Sequence, residues 1–327
     1  MSAAGQQRPG IVLMYHYVRP DGAPIPGGIR PMLASEFERQ LDWIAERYEI
    51  LEPSGFLKWM GGDEAGTKPP CLLTFDDGTR DHAEVVAPIL ASRGIGGVFF
   101  ILSGPAEEAL MPLTHAIHWL LGQPDEQTWE IFERYARDEL CDLAALGDPA
   151  EAQRIYHYEP PLRARIKYAA NMTMPQDATN QIIRRAAQQA GMSLEALAQE
   201  WFVSAEQIAD MHRLGMTIGL HGHSHGSLQV LGPRGIAREI AHGSAYLARI
   251  TGAKPTWWAC PFGGSGASDE TLSAMRAAMS SAGLTAAVTT RKAPVDRGSG
   301  DPLAIPRYDC IDLPPRKATA LVELGLS

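Results

Sequence analysis

His221-Gly222-His223-Ser224-His225 places three histidines in five positions, directly after the apolar run at residues 216–220. Buried imidazoles each need a partner and seldom crowd a core, so a metal ion is the economical explanation of such a cluster. Two imidazoles and one carboxylate leave coordination positions for water and substrate, the arrangement of a catalytic ion rather than a structural one. Spacing alone leaves the imidazole pair open, because 221 with 223 and 221 with 225 can both converge. Thr74-Phe75-Asp76-Asp77-Gly78 follows a second apolar run, Cys71-Leu72-Leu73. An isolated Asp-Asp-Gly is more often a turn whose glycine takes a positive φ. At the carboxyl end of a strand, however, paired carboxylates stand where parallel-sheet enzymes build their sites. Trp257-Trp258-Ala259-Cys260-Pro261-Phe262-Gly263 reads as a buried strand entering a rigid turn, which can present a backbone N–H to a site. His16, in Met14-Tyr15-His16, closes the first apolar run; a lone histidine there is usually a hydrogen-bonded core residue unless its neighbours give it work.

These segments share one setting, the end of a short apolar run. Runs at residues 11–18, 49–51, 71–75, 97–102, 216–220, 256–260, 285–290 and 303–307 read as strands, and helical patterns separate many of them. That alternation predicts an α/β fold with a largely parallel sheet, and seven or eight strands suggest a barrel. Helices are expected at 81–92, 233–251 and 268–282, with Ser35-Glu36-Phe37-Glu38 and Ser204-Ala205-Glu206-Gln207 as capping boxes of two more. Between 104 and 202 the rhythm stops and helical pattern takes over for a stretch too long to be a structureless loop. Residues 1–103 and 203–327 are therefore assigned to the barrel and 104–202 to a helical insertion.

Composition removes several classes. The 29 basic against 38 acidic side chains give a net charge of −9, with no basic run to release counterions from nucleic acid. Cys71, Cys141, Cys260 and Cys310 are too scattered for a disulfide framework or a thiolate zinc site. The first ten residues lack the apolar core of a signal peptide, and no run reaches transmembrane length. The expectation is a cytoplasmic protein with no nucleic-acid partner.

Taken together, the motifs resemble those of the polysaccharide deacetylases, carbohydrate esterase family 4, over most of the chain outside the insertion. The resemblance implies a distorted (β/α) barrel of about seven strands. In that family's T-F-D-D-G motif the first Asp is the general base and the second a metal ligand, which implies these roles for Asp76 and Asp77. Its H-x-x-S-H motif matches His221, Ser224 and His225, making the outer histidines ligands and leaving His223 as a supporting group. Pro261-Phe262-Gly263 matches the end of a third motif, R-x-P-Y/F-G, which implies that the Phe262 backbone N–H holds the oxyanion. Ala259 stands where that motif has an Arg that orients the base; Arg307, in Ile305-Pro306-Arg307-Tyr308, is the candidate replacement. The usual C-terminal L-x-x-H is absent, whereas Met14-Tyr15-His16 matches a circularly permuted branch with an N-terminal M-Y-H. His16 becomes the candidate general acid.

The implied activity is metal-dependent removal of an N-acyl group, acetyl or formyl, from an amino sugar or a glycan precursor. The implied cofactor is one divalent ion, zinc first, with cobalt, nickel or manganese as alternatives. Two other readings compete. An amidohydrolase-type barrel would use His221-Gly222-His223 as an H-x-H pair, but it wants that pair early in the chain and further ligands after later strands. A catalytically inactive carbohydrate-binding relative would account for Ala259, but not for the retention of Asp76, His16 and all three ligand candidates.

Overall fold

The computed structural model describes residues 9–23, 29–64, 66–157, 159–264, 267–298 and 300–317. Its strands are β1 (Ile11–Tyr15), β2 (Val18–Arg19), β3 (Met32–Leu33), β4 (Glu49–Ile50), β5 (Pro70–Phe75), β6 (Val98–Ile101), β7 (Thr217–Leu220), β8 (Trp257–Ala259), β9 (Ala286–Val288) and β10 (Tyr308–Asp309). Eight of them form one parallel sheet in the order β10-β1-β5-β6-β7-β8-β9, with β4 added beside β5; β2 and β3 pair separately. The sheet and its helices thus form a distorted α/β barrel.

Unbroken apolar runs such as Cys71-Leu72-Leu73 and Val98-Phe99-Phe100-Ile101 suit a parallel sheet because both of its faces are covered. Side chains alternate between those faces. Leu13, Leu73, Phe75 and Phe99 pack with Phe37, Leu41, Ile236, Ile240 and Met279 of the surrounding helices, while Val12, Leu72, Val98, Phe100, Trp257 and Ala286 form a second cluster. Asp76 continues the parity of Leu72 and Thr74, which aims it to the side of the second cluster.

Contacts divide the chain into two compact units: residues 1–23, 31–108 and 199–327, and residues 24–30 and 109–198. The second unit contains the helices Leu113–Leu120, Asp125–Asp138, Pro149–Ile155, Pro161–Tyr168 and Gln176–Gln189, with Phe132, Ile166, Ile182 and Ile183 fully buried. No helix among the described residues is long and apolar enough to cross a membrane.

Three local expectations are corrected. The run at 303–307 is not a regular strand. Ile305 exchanges backbone bonds with Ala287 and Thr289 beside β9, and regular pairing starts only at Tyr308, where the chain turns to β1. Segment 302–309 therefore spans the two ends of the sheet, and Arg307 sits at its crossing point. Ser35 is not a cap: the helix Ala34–Arg47 begins one residue earlier, Glu36 accepts the Leu33 N–H, and Ser35 bonds Asp21. The helical run expected at 233–251 starts at Leu228 and is broken at Gly232, whose φ of 60° leaves Pro233 to open the second stretch. By contrast, Ser204 and Gln207 do form the reciprocal box that opens Ala205–Arg213.

Candidate active site

Parallel strands present their carboxyl ends together, and the first unit gathers its polar groups there. β5 ends at Phe75, so Asp76 and Asp77 follow immediately; β7 ends at Leu220, so His221 follows; β8 ends at Ala259, just before Pro261 and Phe262. The Asp76 N–H donates to the Tyr15 carbonyl at 2.9 Å, which seats the end of β5 against the residue preceding His16.

Asp77 Oδ1 lies 3.2 Å from His221 Nε2 and 3.4 Å from His225 Nε2. Asp77 and His221 are buried, and His225 nearly so. The His221 Nδ1–H donates to the Ala259 carbonyl at 2.8 Å, which fixes the ring and turns Nε2 toward Asp77. Burial opposes a charge on His221, but its hydrogen bond to Asp77 and the charges of Asp76 and Asp77 outweigh that effect and raise its pKa. Two imidazole nitrogens and a carboxylate oxygen converging in a buried pocket are a donor set suited to a divalent ion of borderline hardness.

Asp76 faces a different partner. Its two oxygens each accept a bond of 2.7 Å from Arg307, whose side chain is 1% exposed. Arg307 also donates to Thr74 Oγ1 at 3.1 Å and to the Thr289 carbonyl at 3.0 Å, and Thr74 in turn donates to the Leu13 carbonyl. Burial would raise the Asp76 pKa; Arg307, with help from His221 and His16, reverses that and holds it below the usual carboxylate range. Ala259, at the motif position usually held by Arg, contributes its carbonyl to His221.

The backbone around the centre is strained. Five described non-glycine residues have a positive φ, and three of them are here: Asp77 at 81°, His225 at 62° and Phe262 at 56°. Such conformations cost on the order of 1–3 kcal/mol each and persist only where the surroundings over-determine them. For the histidine segment the restraint is Glu239, a buried carboxylate that accepts the His223 N–H, the Ser224 N–H at 2.9 Å and the Ser224 hydroxyl at 2.7 Å. Gly222 has no room for a side chain beside it, because a Cβ would stand 3.0 Å from Glu239 Oε2 with φ at 98°. The Phe262 ring packs over His225 at 4.8 Å between centroids, and Pro261 lines the same wall near Gly222.

His223 is turned to another side of its segment, toward Ser103, Glu108 and His242. His16 is close enough to Asp76 for its charge to act there, and its carbonyl accepts the His82 Nε2–H at 2.6 Å. His82 is fully buried against Phe75 and Phe99, and burial pushes its pKa down to about 4, so it is a neutral donor. Tyr17 is partly buried, and its phenol pKa is raised by desolvation and by the charge of Asp77.

Glu239, His82 and Tyr17 are absent from the sequence-level site. Glu239 had a signal: it falls on the stripe of Ile236, Ile240 and Gly243, where a core-facing helix should be apolar. His82 and Tyr17 had none beyond their nearness to the motifs.

A family model described as polysaccharide deacetylase matches residues 177–287, a stretch that contains His221, His225 and Phe262 but not Asp76 or Asp77. No curated protein sequence matches the chain. Among solved structures, the Streptococcus pyogenes deacetylase PplD in complex with acetate is similar in fold, with a TM-score of 0.58 at 16% identity over 97% of each chain. IcaB from Ammonifex degensii gives 0.58 at 17% identity, over 98% of this chain and 99% of that one. A de-N-acetylase from Aggregatibacter actinomycetemcomitans gives 0.53 at 16%, over 91% and 93%. The resemblance to polysaccharide deacetylases thus holds in the family model over residues 177–287 and, across most of the chain, in the fold.

Proposed function

We propose that this protein is a metal-dependent hydrolase that removes an N-acyl group, acetyl or formyl, from an amino sugar or glycan precursor. The observation that carries the reading is the pairing of two carboxylates with opposite surroundings: Asp77 among two imidazoles, and Asp76 clamped by a guanidinium. The family match and the deacetylases among the similar structures point the same way.

Asp77, His221 and His225 are assigned to one divalent ion, zinc first. When bound, such an ion supplies Lewis acidity to the acyl oxygen and lowers the pKa of a water molecule from 15.7 toward about 7. Asp76, kept ionised by Arg307, takes the proton of the attacking water. The Phe262 backbone N–H donates to the oxygen that gains charge as the carbon becomes tetrahedral. His16 delivers a proton to the amide nitrogen, which departs as a free amine while the acyl carbon leaves as a carboxylate. His82 holds the His16 backbone in place, and Glu239 holds that of the histidine segment.

A catalytically inactive relative was suggested by Ala259. Arg307 removes its motive, because the cation that Ala259 cannot provide reaches Asp76 from the segment before β10. The test is acetate and formate release from N-acyl amino sugars and their oligomers after chelation and again after zinc is restored. Release that disappears and returns with the metal supports the reading; no release from any member of the panel by zinc-loaded protein overturns it.

A further inference from the structure

The histidine segment offers donors in two directions. His223 Nε2 lies 3.9 Å from Glu108 Oε2, its ring meets that of His242 edge to face at 4.7 Å, and His242 Nε2 lies 2.7 Å from Glu107 Oε2. One donor atom from each of Glu107, His223 and His242 lies within 4.8 Å of the others. We infer that Glu107, His223 and His242, with Glu108 within reach, form a second binding site for a divalent transition-metal ion such as zinc.

The donor chemistry is selective: two imidazoles and a carboxylate match zinc, cobalt or nickel rather than calcium or magnesium, which prefer oxygen alone. Donors around a tetrahedral zinc ion stand about 3.4 Å apart, so the trio closes on an ion by side-chain rotation without moving the backbone. That backbone is already held. The Ser103 N–H donates to the Gly222 carbonyl and the Gly104 N–H to the His223 carbonyl, both at 3.0 Å, and Glu239 clamps the other edge of the segment.

A partner for the tautomer that binding needs is in place as well. The Ser103 hydroxyl lies 3.0 Å from His223 Nδ1 and 3.5 Å from the Gly222 carbonyl. With its proton directed to that carbonyl, Ser103 accepts the Nδ1–H of His223 and leaves Nε2 as the ligand atom, the arrangement that supports a metal-bound histidine. His242 is 49% exposed, which provides an entrance for the ion. One cation opposes binding: Arg249 takes Glu107 Oε1 at 3.0 Å, leaving Oε2 for the ion but weakening the local field. This site lies outside the Asp77, His221 and His225 trio and shares with it only the five-residue segment.

Equilibrium dialysis of chelated protein against buffered free Zn²⁺, with the bound metal counted by mass spectrometry, tests the site. Wild-type protein should hold two ions per chain. His242→Ala and Glu107→Gln should each hold one, and Arg249→Gln should hold two, the weaker of them tightened several-fold. His221→Ala should also drop to one, an ion that Glu107→Gln then removes in the double variant. Should His242→Ala fail to fold, Glu107→Gln alone carries the test. Full stoichiometry in both Glu107→Gln and His242→Ala overturns the second site, as does a wild-type count of one that His221→Ala abolishes. A wild-type count of one that survives His221→Ala but not Glu107→Gln supports this site while removing the ion assigned to Asp77.

Discussion

Arg307 and Asp76 form a buried two-pronged ion pair, each N–O contact 2.7 Å, across a separation of 231 residues. The guanidinium fork matches both carboxylate oxygens and fixes the plane of the carboxylate as well as its charge. A lysine would supply the charge without the plane.

The pair should behave as a unit when it is dismantled. Arg307→Met leaves a buried carboxylate without its cation, and breaking such a pair costs about 3–5 kcal/mol. Asp76→Asn added to that variant should recover a substantial part of the loss. Urea unfolding of both single variants and the double closes the cycle; purely additive effects would show that the two side chains are energetically independent.

His16→Ala should lower kcat by about 10²–10⁴-fold, the usual cost of losing a general acid. Zinc stoichiometry should not change, since His16 is not among the converging donors. Unchanged kcat would remove His16 from the mechanism and send the search for the proton donor elsewhere in the pocket.

Glu239→Ala removes three acceptor contacts from the histidine segment at once. Loss of a group that orients metal ligands typically costs 10–100-fold in metal affinity, so competition with a chromogenic chelator should show a drop of about that size. Ser224→Ala deletes the hydroxyl contact but keeps both backbone ones, and should cost less. Equal losses in the two variants would place the restraint in the Ser224 hydroxyl.

Asp81, paired with Arg19 at 3.1 Å, has a pKa pushed up to about 6 by burial, against the pull of Arg19. The folded chain therefore holds this proton more tightly than the unfolded chain, whose Asp pKa is about 3.9. The stabilisation is complete below about pH 4 and is lost as the pH rises through 6. Asp81→Asn lacks that titration, so its Tm should rise relative to wild type between pH 4 and pH 7. A difference that stays constant with pH would show that Asp81 does not titrate differently on folding.

The strand ends were legible because a parallel sheet buried on both faces leaves long apolar runs, and a polar cluster directly after such a run can only stand at the rim. That logic found Asp76, Asp77, His221 and the Pro261 turn, and the motif's missing cation directed attention to Arg307. It did not locate the pairing of segment 302–309. A chain that bonds first to β9 and then to β1 obeys no single alternation, so the run at 303–307 reads as a strand of its own. Ser35 misled for a related reason: Ser-x-x-Glu spacing fits a cap at 35, but Asp21, remote in sequence, takes the hydroxyl. Glu239 escaped notice because periodicity treats one charge on an apolar stripe as noise, whereas three donors wait for it across the fold.

The order in which the chain is made gives the Arg307 contact another meaning. During synthesis Asp76 and its strand leave the ribosome 231 residues ahead of the guanidinium that pairs with it. Until segment 302–309 emerges and joins the ends of the sheet, that carboxylate has no partner and the enclosure around it stays open. Contacts of such long sequence separation are slow to form, because loop closure must be paid in entropy before they return any energy. This late segment thus acts as a completion signal, and recovery of activity after refolding should report the docking of β10 rather than the earlier collapse of the β5 and β6 core.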